Sequence, residues 1–161
     1  RLINIIWKNM KHILDLNTNF KSKSINMRPE KLNAAISIIF TNIVVASLDG
    51  ITDEEWDDIK QTVVSLAGKG GDGLFNDLSI EEAGKYFQEA GQWHNSLNQA
   101  ERIEAATECC LWIFNNLNSI DGRKHIVTYF DYTASADGKF TSQEKELINM
   151  FTDLIIQGKH Q

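Results

Sequence analysis

Apolar residues recur at helical spacing along most of the chain. Ile3, Ile6, Met10, Ile13 and Leu14 share one face of a predicted first helix over about 2–16. A polar, basic loop from Asn17 to Arg28 follows. Pro29, favoured at the first position of a helix, then opens a second helix that runs through Ile36, Ile39, Phe40, Ile43 and Val44 to Leu48. That helix is apolar nearly all round, which predicts a central position. Later starts are marked by capping boxes, in which a Ser or Thr side chain accepts from a backbone N–H and a Glu three residues on returns the bond. Thr52 with Glu55, Ser79 with Glu82 and Thr141 with Glu144 fit, and Asn98 with Glu101 is a looser version. They predict helices over about 52–67, 79–90, 98–118 and 141–157. A further helix, over about 123–136, carries Ile126, Tyr129, Phe130, Thr133 and Ala134 on one face. No segment sustains period-two alternation bounded by turn residues, so the expected class is all-α, with seven helices.

The size of the chain agrees with one domain. At 161 residues and 42% hydrophobic content it can bury roughly 70% of its unfolded surface. A single proline and 24% charged residues argue against a disordered chain. The expected organisation is one domain over 1–161, with a basic helix and loop over 1–28 and two hairpins over about 29–67 and 123–157. The most apolar run, Ala34 to Leu48, is shorter than the about 20 residues that cross a bilayer, and Thr41 and Asn42 interrupt it. The chain begins at Arg1 rather than methionine and shows no signal-peptide pattern, so the sequence does not set its true start.

Cysteine and charge narrow the class further. Cys109 and Cys110 lie in an apolar helical pattern with Ala105, Ala106, Ile113, Phe114 and Leu117 and have no other cysteine to pair with. Buried free thiols are expected, which points to a reducing cytoplasm. Zinc ligation there lacks spaced partners, because His12, His94, His125 and His160 are scattered singly. Net charge is −6, yet residues 1–33 hold seven Lys or Arg against Asp15 and Glu30, leaving +5 there and −11 on the remainder. The basic quarter suits an acidic partner or an anionic membrane surface, or is an ordinary solvated face. Nucleic acid is disfavoured, since no dense Arg/Lys stripe with interleaved aromatics is present. The stretch Gly68-Lys69-Gly70-Gly71-Asp72-Gly73 lacks the Gly-Lys-Ser/Thr ending and the preceding strand of a phosphate loop, and reads as a connector.

The strongest internal signal is a repeat. Ala46-Ser47-Leu48-Asp49-Gly50 closes the second predicted helix and Ala134-Ser135-Ala136-Asp137-Gly138 closes the sixth. Each is followed by an apolar residue, Ile51 or Phe140, and then by a Thr-x-x-Glu capping box. The later copy carries one extra residue, Lys139. Apolar stripes follow in both, Ile59, Val63 and Leu66 in one and Ile148, Phe151 and Ile155 in the other. Glycine after a helix supplies the left-handed end position, and Thr with Glu caps the next helix. Asp121-Gly122, expected to end a helix without a capping box behind it, is a turn pair of the ordinary kind.

Helix ends do not explain the sign of the charge at Asp49 and Asp137. A carboxylate on the last turn faces the negative end of the macrodipole, at a cost of about 0.3–1 kcal/mol. Asp137 also continues the stripe of Ile126, Phe130 and Thr133, which directs it toward the core or its rim. A buried carboxylate needs a partner, and a metal ion is one. If the hairpins pack about a pseudo-twofold axis, Asp49, Glu55, Asp137 and Glu144 converge into an all-oxygen cluster suited to Ca, Mg or Mn, with Zn compatible. The EF-hand pattern is absent, because Glu55 lies six residues after Asp49. The other reading leaves the glutamates as caps and the aspartates as turn residues.

These residues resemble the tellurite-resistance TerB family, a seven-helix bundle with paired Ala-x-x-Asp-Gly hairpins, each followed by a Glu. The resemblance spans about Pro29 to Gln157 and matches Asp49, Gly50 and Glu55 to one half of the family's acidic constellation, and Asp137, Gly138 and Glu144 to the other. It implies a bacterial stress-response protein associated with metal binding, protein partners and peripheral membrane-linked complexes. The glycine-rich connector and the shorter first hairpin depart from the family pattern. The leading expectation is therefore a non-enzymatic, metal-binding module. A metal-free scaffold using the basic quarter or exposed aromatics such as Trp7 and Trp93 is the alternative, and a metal-dependent hydrolase a remote one, since no nucleophile, His base or oxyanion donors accompany the acids.

Overall fold

The computed structural model describes residues 27–48, 59, 79–135 and 141–160. Five helices and no strand occur among the described residues: α1 (Ala34–Ala46), α2 (Ile80–Asn95), α3 (Gln99–Asn116), α4 (Ile120–Ser135) and α5 (Ser142–Gln157). The class is all-α. The helices expected over about 2–16 and 52–67 lie outside the described residues, apart from Ile59, which is helical and buried.

The central helix starts later than Pro29. Asn33 caps α1, its Oδ1 accepting from the Ile36 N–H at 2.8 Å, and this fixes the first turn four residues beyond the proline. Every residue from Ala35 to Ala46 is buried, as an apolar surface all round requires. The side-chain donors of Thr41 and Asn42 are satisfied within α1. Thr41 Oγ1 donates to the carbonyls of Ser37 and Ile38 at 2.9 Å each, and Asn42 Nδ2 donates to the Ile38 carbonyl at 2.8 Å. No helix among the described residues is long and apolar enough to cross a membrane.

Helices α2, α3, α4 and α5 all pack on α1, and α5 also packs on α3 and α4. Capping boxes at Ser79, Asn98 and Thr141 place the starts of α2, α3 and α5 where the sequence pattern puts them. The end of α2 differs, running to Asn95 rather than 90. Gly91 weakens the helix there by about 1 kcal/mol, but Trp93 and His94 beyond it are buried and continue the stripe of Ala83, Phe87 and Ala90. Helix α4 begins three residues earlier than expected, with Asp121 in its first turn and the Gly122 N–H donating to Ser119 Oγ at 3.2 Å. Asp121-Gly122 therefore starts a helix instead of ending one. An aspartate is favoured at that positive end of the dipole.

Ahead of α1, residues 27–32 lie across α2 and α3. The Met27 N–H donates to Ser96 Oγ at 3.0 Å, and Arg28 holds Glu108 through two bonds of 2.5 and 2.7 Å while its guanidinium stands 5.4 Å from the Trp93 ring centre. Trp93 is 1% exposed and packs on Phe40 with centroids 4.2 Å apart, so the expectation of an exposed Trp93 is corrected. Cys109 and Cys110 are buried free thiols, as expected; burial pushes Cys109 up to about 12 and Cys110 well above the ordinary thiol value.

At the other end, Gly158 follows α5 in the left-handed region, with φ of 74°, and its N–H donates to the Leu154 carbonyl at 2.9 Å. A Cβ placed there meets the Phe114 ring at 2.6 Å. Gly158→Ala is expected to destabilise the fold by about 2 kcal/mol, from backbone strain and overpacking together. Chemical denaturation checks this, and an unchanged midpoint contradicts it.

Candidate functional site

The two helices that precede the Asp-Gly pairs in sequence are joined near their C-terminal ends. Thr133 Oγ1 of α4 donates to Asn42 Oδ1 of α1 at 3.0 Å, with both side chains shut off from water. Asn42 lies about 6 Å of helical rise before Ala46 and Thr133 about 3 Å before Ser135, the last residues of α1 and α4. The chain thus leaves both helices at one end of the bundle. The stripe expected to direct Asp137 is buried as read, with Ile126, Phe130 and Thr133 each at 0% exposure.

Of the four candidate ligands, Glu144 is described; Asp49, Glu55 and Asp137 lie outside the described residues. Glu144 stands in the first turn of α5. Its Oε1 accepts from the Thr141 N–H at 3.2 Å and from Thr141 Oγ1 at 3.0 Å, and its own N–H donates to Thr141 Oγ1 at 3.2 Å. The capping role is real. Its burial is what sets it apart: the capping carboxylates of Glu82 and Glu101 are exposed, whereas Glu144 is 4% exposed. A cap can therefore be made at the surface. A carboxylate removed from water calls for partners to its charge, and a cation is one of them. No group of three or more His, Cys, Asp or Glu side chains gathers around a point among the described residues.

One polar contact at this end was missed by the sequence pattern. His94 Nε2 lies 3.0 Å from Ser47 Oγ, the C-cap residue of α1, two positions before Asp49. Ser47 Oγ also donates to the Val44 carbonyl at 3.2 Å, which uses its one proton, so the imidazole is the donor in the first contact. The His94 carbonyl in turn accepts from Arg102 Nε at 2.8 Å. Burial, with the Arg102 charge adding to it, depresses His94 from 6.5 to about 3. A neutral imidazole of that basicity holds a hydroxyl in place at neutral pH and is poorly suited to remove its proton. His94 lies beyond the end expected for this helix at about 90, and a lone histidine names no partner.

No protein-family model matches the chain, and no curated protein and no solved structure matches it.

Proposed function

We propose that the chain is a non-enzymatic, metal-binding stress-response module in which one divalent ion bridges the two Asp-Gly hairpins, held by Asp49, Glu55, Asp137 and Glu144. The observation that carries this reading is the burial of Glu144. Capping alone leaves Glu82 and Glu101 at the surface, so folding the head of α5 does not by itself account for a carboxylate withdrawn from water. The Thr133–Asn42 bond supports it, since the helices that precede both turns end on the same side of the bundle. All-oxygen ligands select hard ions, with Ca, Mg and Mn ahead of Zn.

The resemblance to the TerB family belongs to the same proposal. It extends the five helices to seven in one domain over 1–161, and brings a bacterial cytoplasmic setting, protein partners and peripheral membrane-linked complexes. On this reading the ion orders the two hairpins and the surface beside them, and partner recruitment follows from that order.

Calorimetry on metal-stripped protein tests the proposal. One equivalent of Ca or Mn is expected to bind the parent, and Asp137→Asn is expected to weaken binding by at least about tenfold, because a coordinating charge is removed while size is kept. Absence of heat in the parent, or equal affinity in the variant, overturns it.

A further inference from the structure

We infer that residues 27–32 form a releasable strap, latched by Arg28 on Glu108, and that the Cys109 thiol meets soft electrophiles only while this strap is lifted. The inference is independent of any metal ion and rests on the strap, α1 and α3.

The strap is held at few points. Its base, Leu32, is buried, and Asn33 then caps α1. At its far end the Met27 N–H meets Ser96 Oγ, and Arg28 grips the Glu108 carboxylate through both terminal nitrogens beside the Trp93 ring. Pro29 has no N–H to give, and among the described residues no backbone–backbone hydrogen bond involves 27–32. The side chains of Arg28 and Glu108 are 41% and 51% exposed, so water and salt compete for the latch. Alongside it runs a groove of about 510 Å³, lined by Glu30, Lys31 and Leu32 of the strap and by Leu111, Trp112 and Asn115 of α3. That space lets the strap shift without first unpacking the core.

Cys109 stands where the strap crosses α3, one residue after Glu108. Burial holds its thiol up at about 12, against the nearby Ser37 hydroxyl and the Arg28 guanidinium, which both favour the thiolate. Water admitted by a lifted strap removes much of the burial penalty, and the thiolate is the form that attacks an electrophile. Cys110 is the internal control. It is equally buried, but burial and then Cys109 account for its upward shift, with no part played by Arg28 or Ser37. A step of one residue turns a helical side chain by about 100°, which takes Cys110 out of the strap's reach.

Iodoacetamide is the probe: the thiolate sulfur displaces iodide, a C–S bond forms as the C–I bond breaks, and the thiol proton passes to buffer. Tandem mass spectrometry reads Cys109 and Cys110 separately in the parent and in Arg28→Ala, with circular dichroism establishing that the variant is folded. Cys109 is expected to react about tenfold faster in Arg28→Ala, since the ion pair and the Trp93 contact are lost together, while Cys110 stays within about twofold of the parent. Loss of the Arg28 charge by itself disfavours the thiolate and slows the reaction, so acceleration reports opening. In the parent, raising salt to about 1 M is expected to speed Cys109 about threefold, because screening weakens the latch, and to leave Arg28→Ala unchanged. An unchanged or slower Cys109 in the variant overturns the inference, as does equal acceleration of both cysteines, which marks loosening of the whole bundle. If Arg28→Ala does not fold, the salt response of the parent decides, and a flat Cys109 rate overturns the inference.

Discussion

Trp93→Ala is expected to cost about 4 kcal/mol of folding stability, a large part of what a domain of this size possesses. Trp93 is 1% exposed, packs on Phe40 with centroids 4.2 Å apart and rings tilted by 33°, and carries the Arg28 guanidinium over its ring. Truncation opens a cavity at the junction of α1 and α2 and removes the aromatic surface under residues 27–32. The loss sums transfer, cavity and ring-pair contributions, which exceed any single polar contact in the bundle. Urea denaturation measures it. A loss under 1 kcal/mol would mean that Trp93 is not part of the core.

Acidification gives the second large effect. The folded pKa of His94, about 3, lies below its ordinary value of 6.5, so between these limits the unfolded chain takes up a proton that the folded chain refuses. Stability contributed by this group is fully present above pH 6.5 and is lost as pH falls toward 3, at about 1.4 kcal/mol per pH unit within the window. From pH 6 to pH 4 the loss is about 2 to 3 kcal/mol. His94→Phe removes that component and flattens the profile by the same amount, so denaturation midpoints of the two proteins converge on acidification. Parallel profiles would show that His94 is not buried as a neutral ring.

Much of the fold was legible because the signals that mark helix starts are local. Ser79, Asn98 and Thr141 sit where they cap, each with a glutamate three residues on, and tertiary packing has little to add at those positions. Ends depend on what lies elsewhere. Gly91 reads as a stop until Trp93 and His94 are seen in the core, and Pro29 reads as a start until Asn33 is seen to cap the helix and Arg28 to hold the preceding segment on Glu108. Asp121-Gly122 looks like a turn pair, yet the same aspartate suits the first turn of α4. Burial itself was clear for Ala35 to Ala46, Cys109 and Cys110, where the pattern is apolar on every side.

At the candidate site, the repeat of Ala, Ser, Asp and Gly was visible and its carboxylates stood out by charge against the helix dipole. Partnerships across the fold were not. Thr133 and Asn42 are 91 positions apart, and nothing near either residue indicates the other; the same holds for Ser47 and His94, 47 apart. The distinction between Glu144 and the otherwise similar Glu82 and Glu101 is likewise one of burial, which three similar capping patterns cannot express.

A bridging ion must join both hairpins at once. Paramagnetic broadening of backbone amide signals by a single equivalent of Mn is the direct measurement, because it acts through space over a limited radius around the ion. Simultaneous loss of the Gly50 and Gly138 amide signals at one equivalent, together with the Glu144 amide, is the predicted result. Broadening at one turn alone, or at neither, contradicts it.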